Sequence, residues 1–138
     1  MDDEIDAADA AYAMGLLSVD AAGIGGVLLR ASAGPAREVW LAQLKVLLGA
    51  TRPMKRMPVH IADESLLGGL DLAATLHAWR PVAQRGLLAD CDGGVLVVPL
   101  AERLLAGTAA RLTLALDTRQ VAIEREGMTI VPLKAYFN

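Results

Sequence analysis

Residues 25–41 read GGVLLRASAGPAREVWL and combine three patterns that together indicate the fold. A short apolar run at residues 27–30 follows two glycines and predicts a strand. Small residues then form a tight turn over residues 31–36, and an amphipathic helix follows over residues 36–48, with Gly49 as its C-cap. A strand, a tight loop and a helix in this order are typical of an α/β domain.

The turn has the position of a phosphate-binding loop but lacks most of its chemistry. In the pattern G-x-x-x-x-G-K-[ST], backbone N–H groups surround phosphate, lysine supplies positive charge and a hydroxyl group ligates Mg²⁺. Here Ala31 and Ala36 replace the two glycines, and Arg37 replaces the lysine. Glu38 replaces the hydroxyl residue and would place a carboxylate against phosphate oxygens. The cofactor-binding candidates that remain are Gly34, Arg37 and Glu38, and an ordinary strand–helix turn is the alternative interpretation.

The composition narrows the class of protein. A chain of 138 residues fits one domain, and 54% hydrophobic residues with only 4% aromatic residues indicate a core of Ala, Leu, Val and Ile. A net charge of −3 without a long basic block argues against a nucleic-acid surface. The acidic start at residues 1–4 does not resemble a signal peptide, and no apolar run reaches membrane-spanning length, so we expect a cytoplasmic protein. Cys91 is the only cysteine, which excludes an intrachain disulfide and indicates a buried thiol.

Further helices and loops follow from periodicity and turn residues. Helical spacing of apolar residues predicts helices over residues 6–17, 72–79 and about 105–116. Residues 18–26 are predicted to form a loop. The basic, proline-bracketed residues 51–58 are predicted to form a connection whose cations either face solvent or bind an anion. The helix over residues 36–48 is expected to pack on the sheet through a wide apolar face formed by Val39, Trp40, Leu44, Val46 and Leu47.

Two more strands complete the predicted core. Residues 59–61 alternate around His60, which we interpret as structural, and residues 95–98 form a continuous apolar run after the turn Asp92-Gly93-Gly94. Such a run is typical of a strand buried on both faces of a parallel sheet. The predicted fold is therefore a three-layer α/β unit with central strands at residues 27–30, 59–61 and 95–98. A β-hairpin over residues 120–131 is expected to project from it.

The end of the strand at residues 95–98 lacks the acids of a magnesium-dependent nucleotidase. In such enzymes an Asp at this point, often with a Glu, holds the metal and orients the attacking water. Pro99 and Leu100 stand there instead, and Glu102 comes two or three residues later. The sequence therefore predicts no catalytic residue and no metal ligand. A nucleotidase that uses Glu102 as a displaced acid is one alternative.

Six segments in order resemble the magnesium chelatase family, and specifically the AAA+-like N-terminal part of its D-type component. They are residues 19–27, 30–37, 67–71, 85–89, 92–96 and 124–127. The related I-type component is the working ATPase and carries intact phosphate-loop and strand-end motifs. The D-type component is degenerate at both motifs, as this chain is at Arg37, Glu38, Pro99 and Leu100.

The resemblance implies a degenerate P-loop NTPase-like (AAA+) domain over residues 1–138 that is incomplete. A full D-type component would continue through further strands, a helical lid, a linker and an integrin-I-like domain, so we interpret the chain as a fragment. The AAA+ sheet order is 5-1-4-3-2, in which strand four lies between strands one and three. Without strand four, the strands at residues 27–30 and 95–98 would keep unpaired edges, with apolar surface around Leu28 and Val97.

The resemblance also implies a function. The D-type component would be a non-catalytic platform that assembles with the ATPase subunit and the porphyrin-binding subunit, in an oligomeric ring, for ATP-dependent insertion of Mg²⁺ into protoporphyrin IX in chlorophyll and bacteriochlorophyll synthesis. No independent activity is expected, and ATP with Mg²⁺ would bind only weakly or at the interface. A generic α/β protein-interaction module is the second alternative.

The predicted partner surface combines the loop at Arg37 and Glu38 with the hairpin at residues 120–131. The hairpin region carries charges of both signs, which suit a polar and reversible interface. These charges are Arg119, Glu124, Arg125 and Glu126. A solvated hairpin face is the alternative.

Overall fold

The computed structural model describes residues 2–30, 34–118, 121–125 and 128–133, and its described part is a mixed α/β structure. The helices are α1 Asp2–Ile24, α2 Pro35–Leu48, α3 Asp63–Leu67, α4 Leu72–Ala78, α5 Leu87–Asp90 and α6 Ala106–Thr118, with a 3₁₀ turn at Ala101–Arg103. The strands are β1 Met54–Arg56, β2 Gly68–Leu70, β3 Ala83–Arg85, β4 Val95–Val97, β5 Val121–Arg125 and β6 Met128–Leu133. They pair two by two as β1–β4, β2–β3 and β5–β6.

Helix α1 is longer than predicted, and the loop predicted over residues 18–26 was wrong for most of its length. The helix continues to Ile24 across a kink at Asp20, whose φ and ψ are −145° and 73°. The Asp20 carboxylate accepts a hydrogen bond from the Gly23 N–H at 2.9 Å, as an N-cap residue does, and so starts a second helical stretch. The buried Ala21 anchors this stretch against the neighbouring helix.

Helix α2 confirms the prediction for residues 36–48. Pro35 occupies its first turn, and Gly49 ends it with a φ of 74°, a left-handed value that favours glycine. Its buried face packs against α1 in what we call the helix-pair cluster. That cluster consists of Met14, Leu17, Ala21, Leu44 and Leu48. Trp40 packs beside it and donates its Nε1–H to the Ala10 carbonyl at 2.8 Å.

The apolar face predicted for α2 was too wide. Val39, Val46 and Leu47 are 53%, 79% and 51% exposed, so they are not part of a packed face. The helix buries only the stripe at i, i+4 and i+8, which runs through Trp40, Leu44 and Leu48, because one neighbouring helix covers a single stripe. The other apolar residues form a separate surface.

Strands β1 and β4 form a parallel pair in which Met54 lies opposite Val95 and Arg56 opposite Val97. The strand predicted at residues 59–61 was wrong, since β1 falls earlier, inside the predicted connection. Backbone hydrogen bonds fix this register, because the Val95 N–H donates to the Pro53 carbonyl at 2.8 Å and the Met57 N–H to the Val97 carbonyl at 2.9 Å. After Pro58 the chain turns, and His60 is exposed.

Strand β4 is confirmed and contacts apolar clusters on two sides. Val95 packs against the helix-pair cluster, whereas Leu96 and Val98 pack against a second, central cluster. The central cluster consists of Met57, Leu66, Leu88 and Ala115. The strand residues are nevertheless half-buried, so the expectation of full burial on both faces was too strong.

Residues 27–30 are not a strand, and the prediction for them was wrong. They have no ladder partner within the described part of the chain, where β4 pairs only with β1. An apolar run becomes a strand only when another backbone satisfies its N–H and C=O groups. The described residues therefore form a two-stranded parallel sheet rather than the predicted three-stranded core.

Two further units complete the structure. Helix α4 confirms the helix predicted over residues 72–79 except at Trp79, which has a φ of 52°. It lies between β2 and β3, an antiparallel pair that the sequence did not predict. The predicted hairpin is confirmed as β5–β6, with a register shift between Val121 and Ile123, while its turn at residues 126–127 lies outside the described residues.

Candidate functional site

A cavity of about 1090 Å³ lies between residues 25–30 and the C-terminal end of β4. Helix α2 and the central cluster supply apolar walls through Leu44, Leu88 and Ala115. Four charged side chains also line it. They are Arg30, Arg37, Arg56 and Glu102.

The cavity brings together the two degenerate motifs that the sequence analysis found far apart. Arg37, at the lysine position of the phosphate loop, lines it from α2. Pro99, Leu100 and Glu102 line it from the segment after β4, where a nucleotidase carries its acids. Leu100 has a left-handed φ of 51°, which is unfavourable for a residue with a side chain and directs the chain into the 3₁₀ turn. Residues from both degenerate motifs therefore line the same cavity.

Glu38 is held by two arginines rather than projecting freely. Arg56 Nη2 lies 3.2 Å from Glu38 Oε1 and 3.4 Å from Oε2, and Arg37 Nε lies 3.8 Å from Oε1. These side chains are between about a third and a little over half exposed, so solvent screens the pairs. The Arg56 contribution was missed by the sequence analysis, because no sequence spacing indicates that β1 returns beside the start of α2.

The start of α2 offers few donors for an anion. Gly34 is its N-cap in an extended conformation, with a φ of 169°, and no side chain caps the helix there. Pro35 has no N–H, so one of the donors that a phosphate cradle uses is missing. Glu38 in the first turn already interacts with the positive end of the helix dipole. Residues 31–33 lie outside the described residues.

The basic connection does not assemble an anion site in the described structure. Arg56 pairs with Glu38, and Arg52 donates from Nε to the Leu48 carbonyl at 3.1 Å, near the C-terminus of α2. Cations at a helix C-terminus stabilise it through its last carbonyls. Of the two interpretations left open for residues 51–58, the structure favours side-chain pairing and solvent exposure.

Cys91 is buried, as predicted, and its backbone lies at the end of α5 just before β4. Only 1% of its surface is exposed, and burial raises the pKa of its thiol to about 11, an effect that the charge of Lys55 partly offsets. A thiol of this kind is protonated and a poor nucleophile near neutral pH. Its contribution is therefore to packing at the cavity wall.

No cluster of three or more His, Cys, Asp or Glu side chains that could hold a metal ion occurs among the described residues. In the same part of the chain, no helix combines the length and the apolarity needed to cross a membrane.

Curated magnesium-chelatase subunits are similar in sequence to this chain. It is 44% identical over 113 residues to the magnesium-chelatase 60 kDa subunit of Rhodobacter capsulatus, and 47% identical over 106 residues to that of Cereibacter sphaeroides. It is 30% identical over 122 residues to the magnesium-chelatase 67 kDa subunit of Chlorobaculum parvum. These alignments cover 80%, 76% and 88% of the chain but only 19%, 18% and 20% of the relatives. The chain thus spans about a fifth of each relative, and the resemblance to magnesium chelatase is confirmed for that part.

One solved structure is also similar. It is a chain from a model, based on single-particle cryo-EM, of the complex between subunits BchI and BchD of magnesium chelatase. The similarity has a TM-score of 0.55 at 22% sequence identity and covers 62% of this chain and 26% of that chain. At this identity it supports a shared fold. A comparison with protein-family models found no match.

Proposed function

We propose that this chain serves as a non-catalytic platform in magnesium chelatase, because it is a relative of the magnesium-chelatase 60 kDa subunits. In this role it assembles with the ATPase subunit during insertion of Mg²⁺ into protoporphyrin IX. The single observation that supports a non-catalytic role is that residues of both degenerate motifs line one cavity.

The chemistry of that cavity does not suit phosphoryl transfer. Such transfer needs a cation and backbone donors around phosphate, and a hydroxyl and a carboxylate to hold Mg²⁺. Arg37 is the one matching group, while the Glu38 carboxylate occupies the hydroxyl position and binds Arg56. Pro99 and Leu100 offer no metal ligand. We therefore propose that nucleotide binds weakly here, or only where the ATPase subunit completes the site.

The cavity also supports an AAA+-like three-layer architecture for the proposed domain. In the order 5-1-4-3-2, strands three and two are neighbours, as β4 and β1 are here. Residues 27–30 then correspond to strand one, and strand four belongs between them and β4. The cavity occupies that space. This assignment explains why an apolar run such as residues 27–30 remains unpaired within the described part of the chain.

The proposed partners follow from the relatives rather than from a contact in the structure. The structural neighbour is taken from a complex of two chelatase subunits. We place the ATPase subunit against the loop at Arg37 and Glu38 and against the hairpin β5–β6. A ring arrangement, a porphyrin-binding third subunit and a cytoplasmic location are parts of the same proposal.

The experiment is a pull-down of a magnesium-chelatase ATPase subunit by the 138-residue chain, together with ATP turnover of each protein alone and mixed. We expect association, and no turnover by this chain alone. Charge reversal of the hairpin by Glu124→Arg with Arg125→Glu is expected to weaken association about tenfold. Asp9→Arg, an exposed charge on α1, is the matched control and should leave it unchanged.

Other results would support the alternatives. Steady ATP turnover by the chain alone that is lost in Glu102→Ala would identify a nucleotidase with a displaced acid. A folded chain that does not bind the ATPase subunit would indicate a generic interaction module. Unchanged binding by the charge-reversed hairpin would remove β5–β6 from the interface.

A further inference from the structure

Strand β4 has one paired edge and one open edge. Along a strand, the backbone N–H and C=O groups of successive residues point to opposite neighbours. The Val95 N–H and the Val97 carbonyl form hydrogen bonds of 2.8 and 2.9 Å with the residues that flank β1, so both residues face β1. The backbone groups of Leu96 and Val98 therefore point away from β1. In the described part of the chain, no strand pairs with that second edge.

The open edge borders the cavity, which residues 94–98 line together with residues 25–30. Several large apolar side chains of the cavity wall are exposed. They are Val27, Leu28, Leu100 and Leu116, which are 40%, 70%, 41% and 50% exposed. An added strand covers a surface of this kind, because it supplies apolar side chains together with backbone groups that match the unpaired edge.

The cavity has an apolar wall on each face of β4. Val95 packs against the helix-pair cluster, whereas Leu96 and Val98 pack against the central cluster, so the two clusters lie on opposite faces of the strand. Leu44 of the first cluster and Leu88 of the second both line the cavity. A strand placed beside β4 would direct alternate side chains to these two walls. It would therefore be apolar at every position rather than at every second position.

The volume of the cavity matches a short strand. Neighbouring strands lie about 4.8 Å apart, packed layers lie about 10 Å apart and a strand rises about 3.3 Å per residue, so one buried strand residue fills on the order of 160 Å³. The cavity of about 1090 Å³ thus holds roughly seven such residues. This is close to the usual length of about five or six residues for a strand.

We propose that this chain binds an extended apolar polypeptide segment in trans, as a strand paired with the open edge of β4. The segment is a continuous apolar run, held by hydrogen bonds to the backbone of Leu96 and Val98 and by side-chain contacts with both walls. Main-chain pairing gives such a contact its affinity, and the contacts of alternate side chains give it specificity. The proposal rests on the proposed function only in that the bound segment takes the place given to strand four, since the open edge and the apolar walls do not depend on a chelatase role.

The first test is a titration with a synthetic peptide that has six consecutive valine and isoleucine residues and two glutamates at each end for solubility. Trp40 lines the cavity, and a Trp79→Phe background leaves it as the only tryptophan, so its emission reports binding. We expect saturable binding with a blue shift of the emission. Two control peptides should each raise the dissociation constant at least about tenfold. One alternates valine with serine, and the other is the apolar peptide N-methylated at its four central residues, which removes the backbone donors.

Amide hydrogen exchange followed by NMR tests which edge is used. When the peptide is saturating, the Leu96 and Val98 N–H groups should exchange at least about tenfold more slowly, because they become donors to the added strand. The Val95 and Val97 N–H groups already face β1 and provide the internal control. Their exchange rates should change much less.

A substitution in the cavity wall tests the location of the site. Leu28→Asp puts a charge into the wall and should weaken peptide binding at least about tenfold. Leu114→Asp is the matched control and should leave binding unchanged, because Leu114 is 61% exposed on α6 and does not line the cavity. Circular dichroism checks that both variants are folded.

Several results would overturn the proposal. They are the absence of saturable binding, equal binding of the N-methylated peptide, unchanged exchange at Leu96 and Val98, and unchanged binding by Leu28→Asp. Binding of the apolar peptide by a chain that does not associate with the ATPase subunit would support this site while contradicting the proposed function. Association with the ATPase subunit by a chain that binds no peptide would contradict this site alone.

Discussion

Two apolar runs of this chain look alike in sequence and differ in structure. Residues 27–30 and 95–98 each follow a pair of glycines, and both were predicted to be strands. Only the second becomes one, because its backbone pairs with β1 and its side chains pack on both clusters. Leu28 of the first run is 70% exposed at the cavity. An apolar run therefore makes a segment able to form a strand, but the strand forms only where a partner backbone is present to pair with it.

The largest expected effect breaks the pairing of the second run. A Cβ added at Gly94 would overlap the Pro53 carbonyl group, which is backbone and accepts the hydrogen bond that starts the β1–β4 ladder. Gly94→Ala should therefore destabilise the chain by about 4 kcal/mol or prevent folding, in the range of severe single substitutions. Urea unfolding followed by circular dichroism measures this.

The matched control is Gly26→Ala before the first run, where an added Cβ meets no atom within 4 Å. It should change the free energy of unfolding by less than about 0.5 kcal/mol, since it creates no contact and breaks none. Equal effects of the two substitutions would contradict the view that only the second run is structurally committed.

The next effect compares a buried side chain that packs under the second run with an exposed side chain of the first run. Leu88 is 1% exposed in the central cluster on which Leu96 and Val98 pack, so Leu88→Ala should cost about 3 kcal/mol. Leu28→Ala should cost less than about 0.5 kcal/mol, because Leu28 is mostly exposed. A cost at Leu28 close to that at Leu88 would mean that another segment covers residues 27–30 in solution.

The sequence predicted local elements better than their pairing. Helix α2, strand β4, helix α6 and the hairpin follow from periodicity and turn residues within a few positions. The partner of β4 could not be predicted, because Met54–Arg56 is short and basic and becomes a strand only through hydrogen bonds that start at Pro53. The kink at Asp20 was also missed. An Asp side chain can accept from a nearby backbone N–H in a loop as well as at the start of a helix, so the residues alone do not show which of the two forms.

The candidate site was predicted in its parts and not in its assembly. Arg37, Glu38, Pro99 and Leu100 were identified because each occupies a position with known chemical requirements. The structure adds the convergence of Arg37, Pro99 and Leu100 on one cavity and the pairing of Glu38 with Arg56, which separate segments of the chain cannot reveal. The long-range contact, rather than the residue type, is what sequence reasoning lacked.

A pH effect of intermediate size tests the burial of Cys91, which lies a few residues before the second run. Its pKa is raised from 9.0 to about 11 by burial, so the folded thiol stays neutral where the unfolded one ionises. The stabilisation is fully present below pH 9 and is lost as the pH rises toward 11, by about 2 kcal/mol. Urea unfolding of the wild type and Cys91→Ala at pH 8 and 10.5 should show a smaller difference between them at the higher pH.

Thiol labelling provides the companion measurement on the first run. In a Cys91→Ala background, Leu28→Cys should react with a thiol reagent at about the rate of a free cysteine, because position 28 is exposed. Cys91 of the wild type should react at least about tenfold more slowly, because its thiol is buried and protonated. Similar rates would show that the two runs are equally accessible.

The smallest expected effect concerns the ion pair that joins β1 to the start of α2. Arg56 and Glu38 lie 3.2 Å apart, but their side chains are 53% and 55% exposed, so water and salt screen their attraction. A double-mutant cycle with Arg56→Ala and Glu38→Ala should give a coupling energy below about 1 kcal/mol that disappears at 0.5 M salt. Lys55→Ala, an exposed neighbour on the same strand, is the control substitution. A coupling of several kcal/mol would mean that this pair, and not the backbone ladder, holds β1 in place. A small coupling would leave Glu38 with one consequence that matters, namely the negative charge that it keeps beside Arg37 and Arg56, two of the side chains that line the cavity.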